Sequence, residues 1–246
     1  MALSEQLVIG GNDQVFVLTG AGISAESGLQ TFRGSDGLWE GERLEDVASP
    51  NAWERDPERV WRFYSMRRKA AASAAPNPAH YALADLERKL GQRCFLCTQN
   101  VDDLHERAGS RNLVHMHGRL FESRCDRCDR QPFPDLRLYE SKADHLGCEC
   151  GGRIRPNIVW FGERPFHMDR IVEELLRCTV MLVVGTSGVV QPAASFVHLA
   201  NQRDGGEAPP VRTYYVGPEP PTNAALFTHS FEGKAGELLP QLLVLC

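Results

Sequence analysis

Gln14-Val15-Phe16-Val17-Leu18-Thr19-Gly20-Ala21-Gly22-Ile23-Ser24-Ala25-Glu26-Ser27-Gly28 is the stretch on which the fold turns. Its first six residues are a short apolar run that reads as a buried strand. A glycine-rich turn follows and should open a helix. Strand, glycine turn and helix together make a phosphate site: glycine lets a pyrophosphate approach the backbone, and the helix start offers free N–H groups. The dehydrogenase fingerprint is G-x-G-x-x-G with an acid about 20 residues on. Here the glycines stand at 20, 22 and 28, and the later acids Asp36, Glu40 and Glu42 lie in a turn-like stretch. The reading is a nucleotide site with a broken dehydrogenase pattern.

Further along, Cys94-Phe95-Leu96-Cys97-Thr98, Leu113 to His117, Thr179 to Gly185 and Val211 to Val216 read as strands. Ala79 to Lys89 reads as a helix. The stretch 37–76 is helical and interrupted, with Pro50 and Pro57 near helix starts and Pro76-Asn77-Pro78 as a loop. Strands alternating with helices predict an α/β fold with a parallel sheet covered on both faces. Two insertions interrupt it: the helical stretch 37–76 and a cysteine-rich stretch over 121–155.

The 246 residues are 42% hydrophobic and 24% charged, which is ordinary for a globular chain. A net charge of −5 argues against general nucleic-acid binding, which needs a basic surface. No apolar run approaches the roughly 20 residues of a membrane helix. Met1 to Gln14 has no basic segment followed by an apolar core, so the expected location is cytoplasmic. In that setting the eight cysteines read as metal ligands or buried thiols rather than disulfides.

Cys125, Cys128, Cys148 and Cys150 form C-x2-C-x19-C-x-C. Four thiolates in two close pairs can close a tetrahedral zinc site, which leaves no open position and is therefore structural. The alternative is a set of reduced surface cysteines. Cys94 and Cys97 share the C-x2-C spacing, but positions three apart on a strand face opposite ways and cannot chelate together. Arg33, in Thr31-Phe32-Arg33, is a cation beside the phosphate cradle, or else a solvated loop residue. Gln99, Asn100 and Asp102 end the second strand, where ligands of open α/β sheets gather. His115 and His117 alternate about Met116, so both are expected on one side. His117 is the better candidate base, and Gly118 beside it should let a ligand approach.

In this order, Gly20-Ala21-Gly22-Ile23-Ser24, Thr31-Phe32-Arg33, Thr98-Gln99-Asn100-Val101-Asp102, His117-Gly118, the four cysteines, Val159-Trp160-Phe161-Gly162-Glu163 and Gly185-Thr186-Ser187 resemble sirtuins. The resemblance spans about residues 14–240, and His115-Met116-His117-Gly118 is most similar to bacterial members. It implies a Rossmann-like domain (1–36, 77–120 and 156–246), the helical insertion 37–76 and a zinc-binding module over 121–155. It implies NAD as a consumed co-substrate, one structural zinc ion, and acylated lysines of proteins as partners. NAD contacts would come from Gly20, Ala21, Gly22, Ser24, Phe32, Arg33, Gln99, Asn100, Asp102, Gly185, Thr186 and Ser187. The acyl-lysine would lie beside Val159, Trp160, Phe161 and Val189. His117 would act as general base, with Asn100 and Asp102 stabilising developing charge on the ribose.

The resemblance also gives meaning to Tyr64 and Arg67. They share a face of the predicted helix Val60–Lys69, and without the family frame would read as a solvated face. Sirtuins that prefer succinyl- and malonyl-lysine carry such a pair, and Ala25 is similar to that subgroup. Two positions depart from the family pattern: Gln30, where proline is common, and Gly217, where many members place an asparagine. An ADP-ribosyltransferase of the same fold and a non-catalytic zinc-containing binding module are the alternatives.

Overall fold

A computed structural model describes residues 6–31, 38–39, 42–202 and 209–245. β1 (Leu7–Ile9) and β2 (Val15–Thr19) lead into α1 (Ala21–Ala25). A small antiparallel pair, β3 (Leu38–Trp39) and β4 (Glu42–Arg43), precedes α2 (Leu44–Val47), α3 (Pro50–Arg55) and α4 (Pro57–Ser73). Next come α5 (Pro78–Leu90), β5 (Cys94–Thr98), α6 (Leu104–Ala108) and β6 (Leu113–His115). β7 (Gly118–Cys125), β8 (Phe133–Pro134) and β9 (Ile154–Ile158) form a separate three-stranded sheet. The chain closes with α7 (Met168–Arg177), β10 (Val180–Val184), α8 (Phe196–Asn201), β11 (Arg212–Gly217), β12 (His229–Glu232), α9 (Ala235–Leu242) and β13 (Leu243–Leu245).

The main sheet has the order β12-β11-β10-β2-β5-β6, all parallel. β2, β5 and β10 are buried at every position, which is why each reads as an unbroken apolar run rather than an alternating one. One face packs against α5 and α9 through Leu83, Leu86, Leu239 and Leu242. The other packs against α7 and α8 through Ile171, Leu175, Phe196 and Val197. Cys94 belongs to the first core and Cys97 to the second, so the two thiols face opposite ways. Truncating a fully buried residue such as Leu182 to alanine should cost about 2–5 kcal/mol.

Register sets the site. Val184, Thr19, Thr98 and His115 stand side by side across β10, β2, β5 and β6. The four carboxyl ends therefore open on one edge. The chain order reverses between β2 and β10, so the edge holds a crevice at the switch point.

The helical stretch starts where its prolines stand. Pro50 and Pro57 each open a helix, α3 and α4. Ser49 Oγ accepts from Ala52 N–H at 3.0 Å, and Asp56 Oδ1 from Arg59 N–H at 2.9 Å. α3 and α4 pack on the cysteine-rich segment. Trp61 stacks on Tyr139 at 3.8 Å, Trp61 Nε1–H donates to Ile154 O at 3.2 Å, and Trp53 Nε1–H donates to Asp126 at 2.9 Å. Arg68, fully buried, donates to the carbonyls of Leu120 and Arg137 and faces Asp135 at 3.4 Å. No helix among the described residues is long and apolar enough to cross a membrane.

Candidate active site

A cavity of about 830 Å³ opens at the carboxyl ends of the main sheet. Loops after five strands reach it: Gly20–Ser24 after β2, Gln99–Asp102 after β5, His117 after β6, Gly185–Val189 after β10 and Pro218–Pro220 after β11. Tyr64 and Arg67 enter from α4, and Val159, Trp160 and Phe161 follow β9. Phe32 and Arg33 lie outside the described residues.

The glycines act chiefly on one another. A Cβ on Gly20 or Gly22 would run into the Gly185 backbone, at 2.8 and 2.7 Å. Gly185 itself has φ +64, and Gly22 N–H donates to its carbonyl at 2.9 Å. Bare backbone on both sides lets the two loops touch, and Ala21 and Ser24 then line the cavity.

Asn100 and Asp102 are both nearly buried and share Ser24 as partner. Asn100 Nδ2 donates to Gly20 O and to Ser24 Oγ, each at 3.1 Å. Ser24 Oγ–H donates to Asp102 Oδ2 at 3.1 Å, and Leu104 N–H to Oδ1 at 3.2 Å. Burial raises the Asp102 carboxyl above its ordinary value despite these donors.

His117 falls in the turn after β6, which ends two residues earlier than expected. Its Nδ1 lies 3.1 Å from Gln99 O. A carbonyl only accepts, so Nδ1 carries the proton and Nε2 keeps its lone pair. Burial holds the imidazole below its ordinary pKa. His115 does not share that environment: it is buried against Asn100 O and Glu106 and is not part of the cavity wall. Gly118 also has a different reason from the expected one. Its φ is +88, and a Cβ there would overlap the carbonyl oxygen of Asn157 on the neighbouring strand β9. The glycine admits a strand, not a ligand.

The Val159–Phe161 segment is braced. Arg155 holds Glu163 at 2.7 and 3.0 Å and stacks 3.2 Å over Trp160, while Trp160 N–H donates to Glu163 at 2.8 Å. Val159 N–H donates to His117 O at 2.9 Å and Phe161 N–H to Ala48 O at 3.1 Å. Trp160 Nε1–H donates to the Tyr64 hydroxyl at 3.0 Å. Burial pushes that phenol up to about 12, so it stays protonated.

The wall also contains residues the motifs did not single out. Tyr215 donates to Glu219 O at 2.8 Å and lies 3.2 Å from Thr186 O, joining the loops after β10 and β11. A side chain at Gly217 would overlap the Tyr215 hydroxyl. The sequence signals for this loop were its place after a late strand and Gly217 in place of the family's asparagine.

The four cysteines lie away from the cavity, with all sulfurs within 4.8 Å of one another. Cys125 and Cys150 are 3.5 Å apart, Cys128 and Cys148 3.8 Å. A tetrahedron of zinc–sulfur bonds of ~2.3 Å has edges of about 3.8 Å, so the cluster fits that ion.

A sequence profile of the Sir2 family matches residues 20–192. An NAD-dependent protein deacylase of Shewanella oneidensis is 47% identical over 234 residues, covering 93% of this chain and 92% of its own. A Sir2 homolog–NAD complex superposes with a TM-score of 0.82 at 43% identity, covering 94% of this chain and 89% of that one. A Sir2 protein with a deacetylated p53 peptide and 3′-O-acetyl ADP ribose gives 0.80 at 30% identity, covering 92% and 91%. The chain belongs to the Sir2 family, the sirtuins.

Proposed function

We propose that this protein removes acyl groups from protein lysines with NAD and one water as consumed co-substrates, giving nicotinamide, O-acyl-ADP-ribose and free lysine. The observation that carries the reading is the single cavity joining the Gly20–Ser24 and Gly185–Ser187 loops, Asn100, Asp102 and a neutral His117. The Sir2 complexes with NAD and with acetyl ADP-ribose support it.

In this reading the loops after β2 and β10 bind the dinucleotide. Asn100 and Asp102 orient the ribose and stabilise the positive charge that develops as nicotinamide leaves. His117 Nε2 takes a proton from a ribose hydroxyl, with Gln99 O holding the other nitrogen's proton in place. Val159 to Phe161 seat the acyl-lysine. Cys125, Cys128, Cys148 and Cys150 hold one zinc ion, which supplies folding free energy and no chemistry.

The acyl range is acetyl together with succinyl and malonyl. Tyr64 and Arg67 both reach the cavity from one face of α4, where a phenol and a guanidinium can grip one carboxylate. Mass spectrometry of NAD reactions with acetyl-, succinyl- and malonyl-lysine peptides tests both levels. Free lysine and the matching O-acyl-ADP-ribose are expected. ADP-ribose attached to the peptide, with the acyl group retained, would establish transferase chemistry instead.

A further inference from the structure

His115 is a buried histidine that the proposed chemistry leaves unused. It is 2% exposed, and both ring nitrogens are engaged at 2.8 Å: Nδ1 with the Asn100 carbonyl and Nε2 with Glu106 Oε1. A peptide carbonyl only accepts, so Nδ1 bears a proton and donates it. Nε2 stands within hydrogen-bond distance of the Glu106 carboxyl. Arg119 faces the same Glu106 oxygen at 3.3 Å. Glu106 thus fixes the ring, and the ring fixes the Asn100 carbonyl.

The other side of the same residue is also held. Asn100 N–H donates to Thr98 Oγ1 at 3.0 Å, and Thr98 Oγ1 accepts from Thr19 at 2.8 Å. Both peptide planes of Asn100 are therefore pinned, one by Thr98 and one by His115. The side-chain amide between them reaches Gly20 O and Ser24 Oγ. A rotation of either peptide would swing that amide off its partners.

We infer that His115, oriented by Glu106, is a positioning residue that sets the Asn100 side chain for the reaction. The inference rests on the reading of Asn100 as a group that orients the ribose. It gives the His-x-His pattern two separate functions: His117 moves a proton, and His115 holds a neighbouring peptide still.

Two variants of the full-length zinc-loaded protein separate positioning from simple anchoring. In His115→Asn the amide nitrogen stands near the place of Nδ1, so the donor to Asn100 is kept. In His115→Gln it stands near the place of Nε2, so the donor to Asn100 is lost and the Glu106 contact is kept. His115→Gln should lower kcat about tenfold or more, the scale of a buried carbonyl left without its donor, with peptide KM within about twofold. His115→Asn should stay within about threefold of the native kcat. Equal kcat values, or the reverse order, would make His115 only an anchor for Glu106 and α6, and would overturn the inference.

Asn100→Ala is the control. If it retains full activity, the reading of Asn100 fails and the inference with it. If it is inactive while both His115 variants are normal, the positioning alone fails. Should either His115 variant not fold, ¹⁵N NMR of histidine-labelled native protein decides: a protonated His115 Nδ1 is required, and a bare one excludes the bond.

Discussion

His117 Nδ1 stands 3.1 Å from the carbonyl oxygen of Gln99. That single contact selects the tautomer whose Nε2 is free to accept a proton. His117→Ala should keep the fold and lose activity on the order of 10²-fold or more, the scale of general-base catalysis. Burial lowers the imidazole pKa, which puts the acid limb of the rate profile below the ordinary histidine value of about 6.5. Deacylation should therefore be flat across neutral pH and fall only as pH drops below that limb. Near-native turnover of a folded His117→Ala protein would remove this residue from the mechanism.

Two other histidines bear on stability rather than rate. His80 and His105 are fully buried with ring centroids 4.9 Å apart. Burial pushes His80 down to about 4, and burial, then repulsion from His80 and His115, takes His105 well below its ordinary value. Both folded-state values lie under the unfolded one near 6.5, so the unfolded chain binds more protons in the window between. Their contribution is complete above that value and is lost as pH falls toward 4, at about 1.4 kcal/mol per pH unit per group. His80 Nδ1 accepts the Asn77 N–H at 3.3 Å, and an asparagine oxygen can do the same. His80→Asn should thus flatten the acid decline of Tm between pH 7 and 5, read by thermal unfolding (on the order of two pH units). Parallel slopes in variant and native protein would contradict the assignment.

The helix α4 contacts the cysteine-rich segment through Trp61 and the cavity through Tyr64. Trp53 and Trp61 bond to the cysteine-rich segment at Asp126 and Ile154, and Tyr64 lies in the same helix as Trp61. Cys125→Ser or Cys148→Ser should lower zinc content and Tm together, because structural zinc contributes folding free energy directly. Full zinc occupancy with an unchanged Tm in either variant would count against the ligand set.

The main-sheet strands at β2, β5 and β10 were legible because strands buried on both faces are continuous apolar runs. The cysteines were legible from their pairing. What stayed hidden depends on contacts distant in sequence. β1 and β13 pair from the two ends of the described chain, and β12 is a largely exposed edge strand, His229-Ser230-Phe231-Glu232, with little apolar signal. The alternation of His115 and His117 suggested one environment. The strand ends between them, and the turn sends the rings apart. Gly118 and Gly217 looked like room for a ligand or a missing contact. Each is demanded by a protein neighbour, Asn157 or Tyr215, that local sequence does not reveal.

Gly217 yields its own prediction. The Tyr215 hydroxyl fills the space a Cβ would take and ties Glu219 to Thr186. Gly217→Asn, toward the residue many sirtuins carry, should destabilise this protein by about 1–3 kcal/mol, the usual cost of overpacking. It should also weaken NAD binding, because Tyr215 and Glu219 both line the cavity. Removing the obstruction in Gly217→Asn/Tyr215→Ala should recover part of the loss. Additive effects in that double-mutant cycle would mean that the two positions do not compete for space.

In the proposed function, acyl choice would turn on Tyr64 and Arg67. The Tyr64 oxygen accepts from Trp160 Nε1–H, which fixes the phenol without using its own hydroxyl hydrogen. Arg67 stands three residues on, and its charge acts on both Tyr64 and Asp102. A succinyl or malonyl group would bring a carboxylate to that corner, where a phenol and a guanidinium could both donate. An acetyl group carries none. Arg67→Met should therefore cut succinyl-peptide kcat/KM by about tenfold or more, while acetyl-peptide kcat/KM changes by less than about threefold. Arg67→Lys should recover little, since an ammonium lacks the planar two-point grip. Tyr64→Phe should show the same bias more weakly, because it removes a neutral donor and leaves the charge. Matched succinyl and acetyl peptides assayed in parallel decide the matter. Equal losses on both would mean that Arg67 supports the cleft through its charge on Asp102 and does not read the acyl group.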